Sequence, residues 1–357
     1  KQQIRSIEKQ HARFIEAFQA SPNGIVMLDD QDQIEWCNAI AERFFGLNFK
    51  RDALQRVNFL IRRPEFIQYL YKRQFDEPLL LERMGQGANL SLMLQAFPFG
   101  DNRHLMLIQD ITDLQKADAM RRDFVANVSH EMRTPITVLM GFLETMQSLE
   151  LDKRQQNQYF EMMMSQAQRM KSLVEDLLTL SRLEGSPMPG MRSVLPLAQL
   201  LQSCEQEAQG LSRSISNGAE PQVIVFHANP ELVGASLFGE VRELQSALSN
   251  LVSNAVRYTP AGGHIHVSVD RGMDGSLCIE VRDTGPGIAP EHLPRLTERF
   301  YRVDRSRSRE SGGTGLGLAI VKHVMQRHGG SLSISSELGQ GSCFRLNFPA
   351  ARWSLDD

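Results

Sequence analysis

The chain has 357 residues, more than one ordinary domain of about 100–200 residues requires, so about two to three domains are expected. Hydrophobic residues make up 41% and charged residues 23%, a globular balance that excludes a fully disordered protein. The 39 basic and 42 acidic side chains leave a net charge of −3, which argues against a nucleic-acid binder working through a bulk basic surface. Cys37, Cys204, Cys278 and Cys343 are scattered with no CxxC spacing, so buried thiols in a reducing compartment are expected rather than a zinc site. No apolar run approaches the roughly 18 residues of a membrane helix, and no signal peptide is present. Because the chain begins at Lys1 and not at Met, it is expected to be the soluble part of a longer protein.

Residues 1–14 read as a charged connector helix. Gly24–Leu28 and Ile34–Cys37 are apolar runs around a polar turn, Asp29–Asp32, and predict a hairpin. Ala39–Phe45 has helical spacing and stops at Gly46, a capping signal. Leu79–Glu82, Leu90–Phe97 and Leu105–Asp110 are strand-like runs broken by Gly85, Gly87 and Gly100. Together they predict a small α+β domain over 15–112. This stretch resembles a PAS sensor domain, on Asn38-Ala39-Ile40-Ala41-Glu42, Gly46 and Asp110-Ile111-Thr112. Cys37 lies outside a flavin-photoreceptor motif and His104 alone is a poor argument for haem, so a protein-contact domain without a cofactor is expected.

Asp110 and Thr112 can cap the next helix. Along it Phe124, Val128, Met132, Pro135, Leu139, Phe142 and Met146 recur at steps of three and four, a helical stripe. Phe160, Met163, Ala167, Met170, Val174 and Leu177 form a second, with the seam pattern of a bundle. A lone hairpin cannot bury both stripes, so a second copy should complete a four-helix bundle through residues 113–184. Met162-Met163-Met164 is expected to fill core. Gly185–Gly190 opens a linker, 185–194, and 195–351 is a mixed α/β region. Its predicted strands are Val223–Phe226, His264–Val269, Leu277–Arg282, Ser331–Ser335 and Cys343–Phe348. Its predicted helices are Pro196–Gln209, Arg242–Tyr258 and Leu316–His328.

His130 is two residues past Val128, about 200° around the helix, and so points away from the core. Its Nδ1–H can donate to Glu131, leaving Nε2 as a nucleophile. Thr134 places a hydroxyl one turn on, and Pro135 removes a backbone N–H and should bend the helix. Phe124-Val-Ala-Asn-Val-Ser-His130-Glu-Met-Arg-Thr-Pro-Ile136 resembles the phosphoacceptor box of sensor histidine kinases. The resemblance implies that His130 is phosphorylated, that Glu131 is the general base, and that Thr134 helps water attack a phosphorylated regulator.

Asn250 and Asn254 stand four apart on one helix face, followed by Arg257 and Tyr258; an amide oxygen suits Mg²⁺, which takes its remaining ligands from water and phosphate. Asp283-Thr-Gly285-Pro-Gly287 ends a predicted strand and can place a carboxylate to accept from the adenine amine. Gly312-Gly313-Thr-Gly315-Leu316-Gly317 runs into a helix, where backbone N–H groups and the dipole favour phosphate. Each segment alone is an ordinary polar face or turn. In this order they resemble the N, G1 and G2 boxes of the ATP-binding fold shared by histidine kinases, Hsp90 and gyrase. Gly339–Phe344 resembles the last glycine box, and Pro294–Asp304 the F box. The resemblance implies that Arg302 reaches the γ-phosphate and that 301–314 forms a lid carrying Arg305, Arg307 and Arg309. Two positions depart from the family pattern: Thr297 replaces the first Phe of the F box, and Arg257 stands where Lys is common.

The expected protein is therefore a multidomain α+β chain. A PAS-like sensor domain precedes a dimeric helical-hairpin phosphoacceptor domain and an α/β-sandwich ATP-binding domain. The resemblance implies ATP and Mg²⁺, the metal at Asn254, a homodimer, a response-regulator partner and phosphatase activity. Arg63–Leu70 and Leu293–Asp304 are most similar to the phosphate-regulon branch of proteobacteria, which implies a regulator of that type and a membrane anchor before Lys1. A mechanical ATPase of the same fold and a silent scaffold are the alternatives.

Overall fold

A computed structural model describes residues 13, 15–82, 90–100, 102–216, 220–232, 234–303 and 313–355. Nearly all of the expected connector helix, the breaks at Gly85 and Gly87, and lid residues 304–312 with their three arginines lie outside the described residues. The chain divides into two compact units, residues 1–126 and 127–357.

The first unit contains β1 (Gly24–Leu28), β2 (Ile34–Cys37), α1 (Ala39–Phe45), α2 (Phe49–Asp52), α3 (Val57–Leu60), α4 (Pro64–Lys72), β3 (Leu79–Glu82), β4 (Ser91–Phe99) and β5 (Arg103–Asp110). The strands form one antiparallel sheet in the order β2-β1-β5-β4-β3. Alternation along β4 and β5 buries Leu92, Leu94, Met106 and Ile108 against Phe66 and Leu70 of α4, as a half-buried sheet requires. Gly46 closes α1 in the left-handed region at φ 67°. His104 is paired by its Nδ1 to the Arg73 guanidinium at 3.3 Å, and partial burial, with the Arg73 charge, lowers its pKa.

Asn38 is the buried polar hub of this unit. Its Oδ1 accepts from the N–H groups of Ile25 at 2.9 Å and Ala41 at 3.0 Å. Its Nδ2 donates to the carbonyls of Asn23 at 2.8 Å and Phe18 at 3.2 Å. One side chain thus caps α1 and ties it to β1 and the segment before it.

Helix α5 (Thr112–Ser148) is capped through Asp110, whose Oδ1 accepts from the Thr112 N–H at 2.9 Å. A short turn leads to α6 (Lys153–Gly185), which opens with a reciprocal Asp152–Gln155 capping box. The expected stripe on α5 is buried or half-buried at all seven positions. On α6 the pattern differs. Met163, Met170 and Leu177 face inward, but Phe160, Ala167 and Val174 are exposed, and the fully buried residues are Leu173, Leu180 and Leu183. Of the three consecutive methionines, Met162 and Met164 are exposed and only Met163 is half-buried. The difference has a geometric cause: α6 packs on two sides, against α5 and against the α/β domain, so its buried positions span a wider arc than one seam. Ile136, Met140 and Leu143 on α5, with Phe160, Met164, Val174 and Leu178 on α6, remain as an uncovered apolar face.

The α/β domain adds β6 (Val194–Pro196), α7 (Leu197–Ser216), β7 (Val223–Ala228), β8 (Ala235–Phe238), α8 (Val241–Tyr258), β9 (His264–Arg271), β10 (Leu277–Asp283), α9 (Gly317–Arg327), β11 (Ser331–Glu337), β12 (Gly341–Phe348) and β13 (Trp353–Leu355). The main sheet has the order β11-β12-β10-β9-β7, antiparallel except for the β7–β9 pair. Its inner face, with Ile265, Val267, Val269, Ile279 and Val281 buried, packs on the helices; its outer face carries a Glu280 carboxylate shared by Arg282 and Arg345. A second sheet, β13-β8-β6, was not apparent from sequence.

Arg327, at the end of α9, joins this domain to the end of α6. It forms an ion pair with Glu243 at 3.0 Å and donates to the carbonyls of Leu183, Ser186 and Pro187 at 2.9, 2.7 and 2.9 Å. Among the described residues no helix is long and apolar enough to cross a membrane.

Replacing Asn38 by Ala leaves two buried N–H groups and two carbonyls without this partner. The Asn38→Ala change should destabilise the first unit by about 2–4 kcal/mol, read as a lower denaturation midpoint. An unchanged midpoint would remove Asn38 as the hub.

Candidate active site

Helix α5 presents His130 and Thr134 to solvent and leaves Glu131 half-buried. The Glu131 side chain turns toward α6, where its Oε2 accepts from Arg169 Nη2 at 3.1 Å. The carboxylate is therefore engaged by Arg169 and not by the expected His130 Nδ1–H. The Thr134 hydroxyl donates to the His130 carbonyl at 3.2 Å, the back-bond open to a helical Thr.

The glycine segments 313–317 and 283–287 both meet α8, the first at Asn250 and the second at Tyr258. Asn250 on α8 donates through Nδ2 to the Ser246 carbonyl at 2.8 Å, and its Oδ1 lies 2.4 Å from where a Cβ on Gly317 would stand. Only glycine permits this approach. One turn further on, Asn254 and Arg257 are half-buried, and Tyr258 is more exposed. The Phe300 N–H donates to the Gly315 carbonyl at 2.9 Å, with Gly315 at φ 74° and Phe300 itself at φ 61°. Arg302 lies against the same turn, its Cγ 3.4 Å from a Cβ built on Gly315. Thr314 Oγ1 accepts from the Leu316 N–H at 3.2 Å. Leu316 is buried, while Gly313 and Gly317 are half-buried.

Asp283 ends β10, buried, with Oδ1 accepting from the Gly285 N–H at 2.8 Å. Burial raises its pKa, and the backbone N–H groups of Gly285 and Ser342 partly offset this. A Cβ on Gly285 would come within 2.9 Å of the Tyr258 carbonyl, and one on Gly287, at φ 70°, within 2.0 Å of the Glu337 carbonyl. The Gly339 N–H donates to the Pro286 carbonyl at 2.8 Å, so the first and last glycine segments are laced together.

Asn250, Tyr258, Asp283, Gly285, Gly287, Arg302, Gly313, Gly315, Leu316 and Gly317 thus belong to one set of converging segments. His130, Glu131 and Thr134 stand elsewhere: the Glu131 level of the hairpin meets Arg169, whereas the α/β domain meets α6 from Asp176 onward. There Thr314 donates to Asp176 Oδ2 at 2.6 Å, and Arg299 pairs with Glu184, whose Oε1 is also 3.8 Å from His323 Nε2. Arg169, Asp176, Glu184 and Arg327 escaped notice in the sequence. The one available signal was charge: Arg169 and Asp176 flank the apolar positions Met170 and Leu177.

The description "Histidine kinase-, DNA gyrase B-, and HSP90-like ATPase" fits residues 239–352. The "His Kinase A (phospho-acceptor) domain" matches 120–186, and a PAS domain 12–78. The chain belongs to the sensor histidine kinase family, with that family's ATP-binding fold at its C-terminal end. It is 42% identical over 345 residues to the phosphate regulon sensor protein PhoR of Pseudomonas aeruginosa, covering 95% of this chain and 75% of the relative. It is 31% identical over 328 residues to the phosphate regulon sensor protein PhoR of Haemophilus influenzae, covering 92% of this chain and 74% of the relative. The structure of histidine kinase ThkA in complex with response regulator protein TrrA shares the fold, with a TM-score of 0.50 and 21% identity, over 92% of this chain and 95% of that one.

Two glycine substitutions separate folding from binding. A Gly287→Ala side chain would collide with backbone, so it should lower the melting temperature of the domain. In Gly317→Ala the obstacle is the end of the Asn250 side chain, so the fold should persist while ATP affinity falls about tenfold or more. Melting curves and calorimetric titration with ATP distinguish the two; equal stability loss in both would refute the distinction.

Proposed function

We propose that the protein phosphorylates His130 with the γ-phosphoryl group of ATP and passes it to an aspartate of a response regulator. The observation that carries this is an exposed His130 on a hairpin joined by a short linker to the converging N, G1 and G2 segments of an ATP-binding domain. The domains we assign are 15–112 for sensing, 113–184 for dimerisation and phosphotransfer, 185–194 as linker and 195–351 for catalysis. The uncovered apolar faces of α5 and α6 support closure of a four-helix bundle by a second copy, since apolar patches of this kind mark association surfaces.

In the forward step His130 Nε2 attacks the γ-phosphorus. The N–P bond forms, the P–O bond to the β-phosphate breaks, and ADP leaves with the electron pair. Glu131 takes the imidazole proton after leaving Arg169. Arg302 and the Gly313–Gly317 backbone neutralise charge on the transferring group, and Asp283 accepts from the adenine amine. Asn250, Arg257 and Tyr258 line the nucleotide, with the glycines at 285 and 287 shaping its turn. Phosphoryl transfer asks the protein mainly for positioning and charge. Among the described residues no group of three or more His, Cys, Asp or Glu could hold a metal ion. A cation such as Mg²⁺ would instead be held by the Asn254 amide oxygen with phosphate and water oxygens, and when bound it would supply further charge neutralisation.

The names of the two relatives support a role in phosphate-regulon signalling, with a regulator of that type as partner. In the reverse mode Thr134 releases its back-bond and orients water for hydrolysis of the regulator's aspartyl phosphate.

His130→Ala should abolish acid-labile labelling from γ-labelled ATP; stable label on that variant would refute the assignment. Thr134→Ala should lose regulator dephosphorylation about tenfold or more while autophosphorylation changes little. Equal loss of both would reduce Thr134 to a structural residue. Phosphotransfer profiling against a panel of response regulators tests the phosphate-regulon partner.

A further inference from the structure

The contact between Asp176 and Thr314 joins two places that the phosphotransfer reading keeps apart. Asp176 is on α6, two turns beyond Arg169, and half-buried. Thr314 is the second residue of the turn that runs from Gly313 into the N-terminus of α9. Its hydroxyl donates to the Asp176 carboxylate while accepting from the Leu316 N–H. Burial raises the pKa of this carboxylate, and the Thr314 hydrogen bond and the Arg257 charge partly offset it. An acidic group therefore lies against the elements that the nucleotide reading assigns to phosphate: the glycine turn, the start of a helix of 11 residues and an arginine.

We propose that Asp176 is a nucleotide-sensitive latch, holding the α/β domain on α6 until the polyphosphate of ATP displaces its carboxylate from the Thr314 turn. This rests on the assignment of the Gly313–Gly317 turn to phosphate. A phosphate on the glycine turn would face the same Thr314 hydroxyl and Arg257 charge as this carboxylate, and like charges forced together in a half-buried site repel. The Arg299–Glu184 pair adds a second, more exposed anchor. Arg327 is of a different kind. It holds backbone carbonyls at 183, 186 and 187 and, among the described residues, forms no hydrogen bond with the glycine turn, so it stays closed as a pivot when the latch opens.

The latch taxes nucleotide affinity by the fraction of molecules in which it is closed. Removing the carboxylate should remove that tax for phosphate-bearing ligands alone. The test is calorimetric titration of the full chain and its Asp176→Ala and Asp176→Asn variants with a non-hydrolysable ATP analogue and with adenosine. Both variants should bind the analogue about fivefold or more tighter, with adenosine affinity unchanged. The Asn variant keeps the size and can still hydrogen-bond Thr314, so it carries the test if the Ala variant fails to fold. Unchanged or weakened analogue binding overturns the latch, as does an equal gain for adenosine, which would mean that phosphate is not what the carboxylate excludes. If the wild-type chain binds no analogue at all, the nucleotide site itself is refuted, and the latch with it.

Discussion

The geometry of the catalytic half depends on one guanidinium. The last carbonyls of a helix have no intrahelical partner, and α6 ends where the linker begins. Arg327 supplies donors to three carbonyls there while its other edge pairs with Glu243. Five donors in a rigid fork make this possible; a lysine offers a single point charge. With both side chains largely buried, at 11% and 16% exposure, removing Arg327 would leave the Glu243 carboxylate without its guanidinium at a cost of about 3–5 kcal/mol. Through this contact the end of the hairpin, helix α8 with its asparagines, and helix α9 with its glycine turn share one anchorage.

Around that anchorage the nucleotide segments are built by close backbone approach. The side chain of Asn250 uses the space left by Gly317, and the carbonyl of Glu337 the space left by Gly287. Buried Asp283 is the counterweight. Its raised pKa means that the folded state binds its proton more tightly than the unfolded one. The associated stability is fully present below the unfolded pKa and is lost as pH rises through the folded one. Above that window, ionising this buried carboxylate comes at a cost to the stability of the domain.

Much of this organisation was legible in the chain. The hairpin at 24–37, the cap at Gly46 and the stripe on α5 rest on local rules, periodicity of two or three to four and left-handed turns, whereas the order of the glycine segments was legible only through its resemblance to the boxes of the histidine-kinase ATP-binding fold. What sequence could not provide was partnership across long separations. The stripe on α6 was misplaced because that helix has two neighbours, and periodicity cannot reveal the second. Glu131 was paired with its sequence neighbour His130, although a helix sends adjacent side chains about 100° apart and Arg169 stands in the direction Glu131 takes. The short strands β6, β8 and β13 carry too few residues to show an alternation.

Phe300 gives the F-box turn a mechanical property. A bulky residue in the left-handed region costs roughly 1–2 kcal/mol, and here that conformation is held by a hydrogen bond to the Gly315 carbonyl. The contact between the F-box turn and the glycine turn thus carries a backbone strain that this hydrogen bond helps to hold.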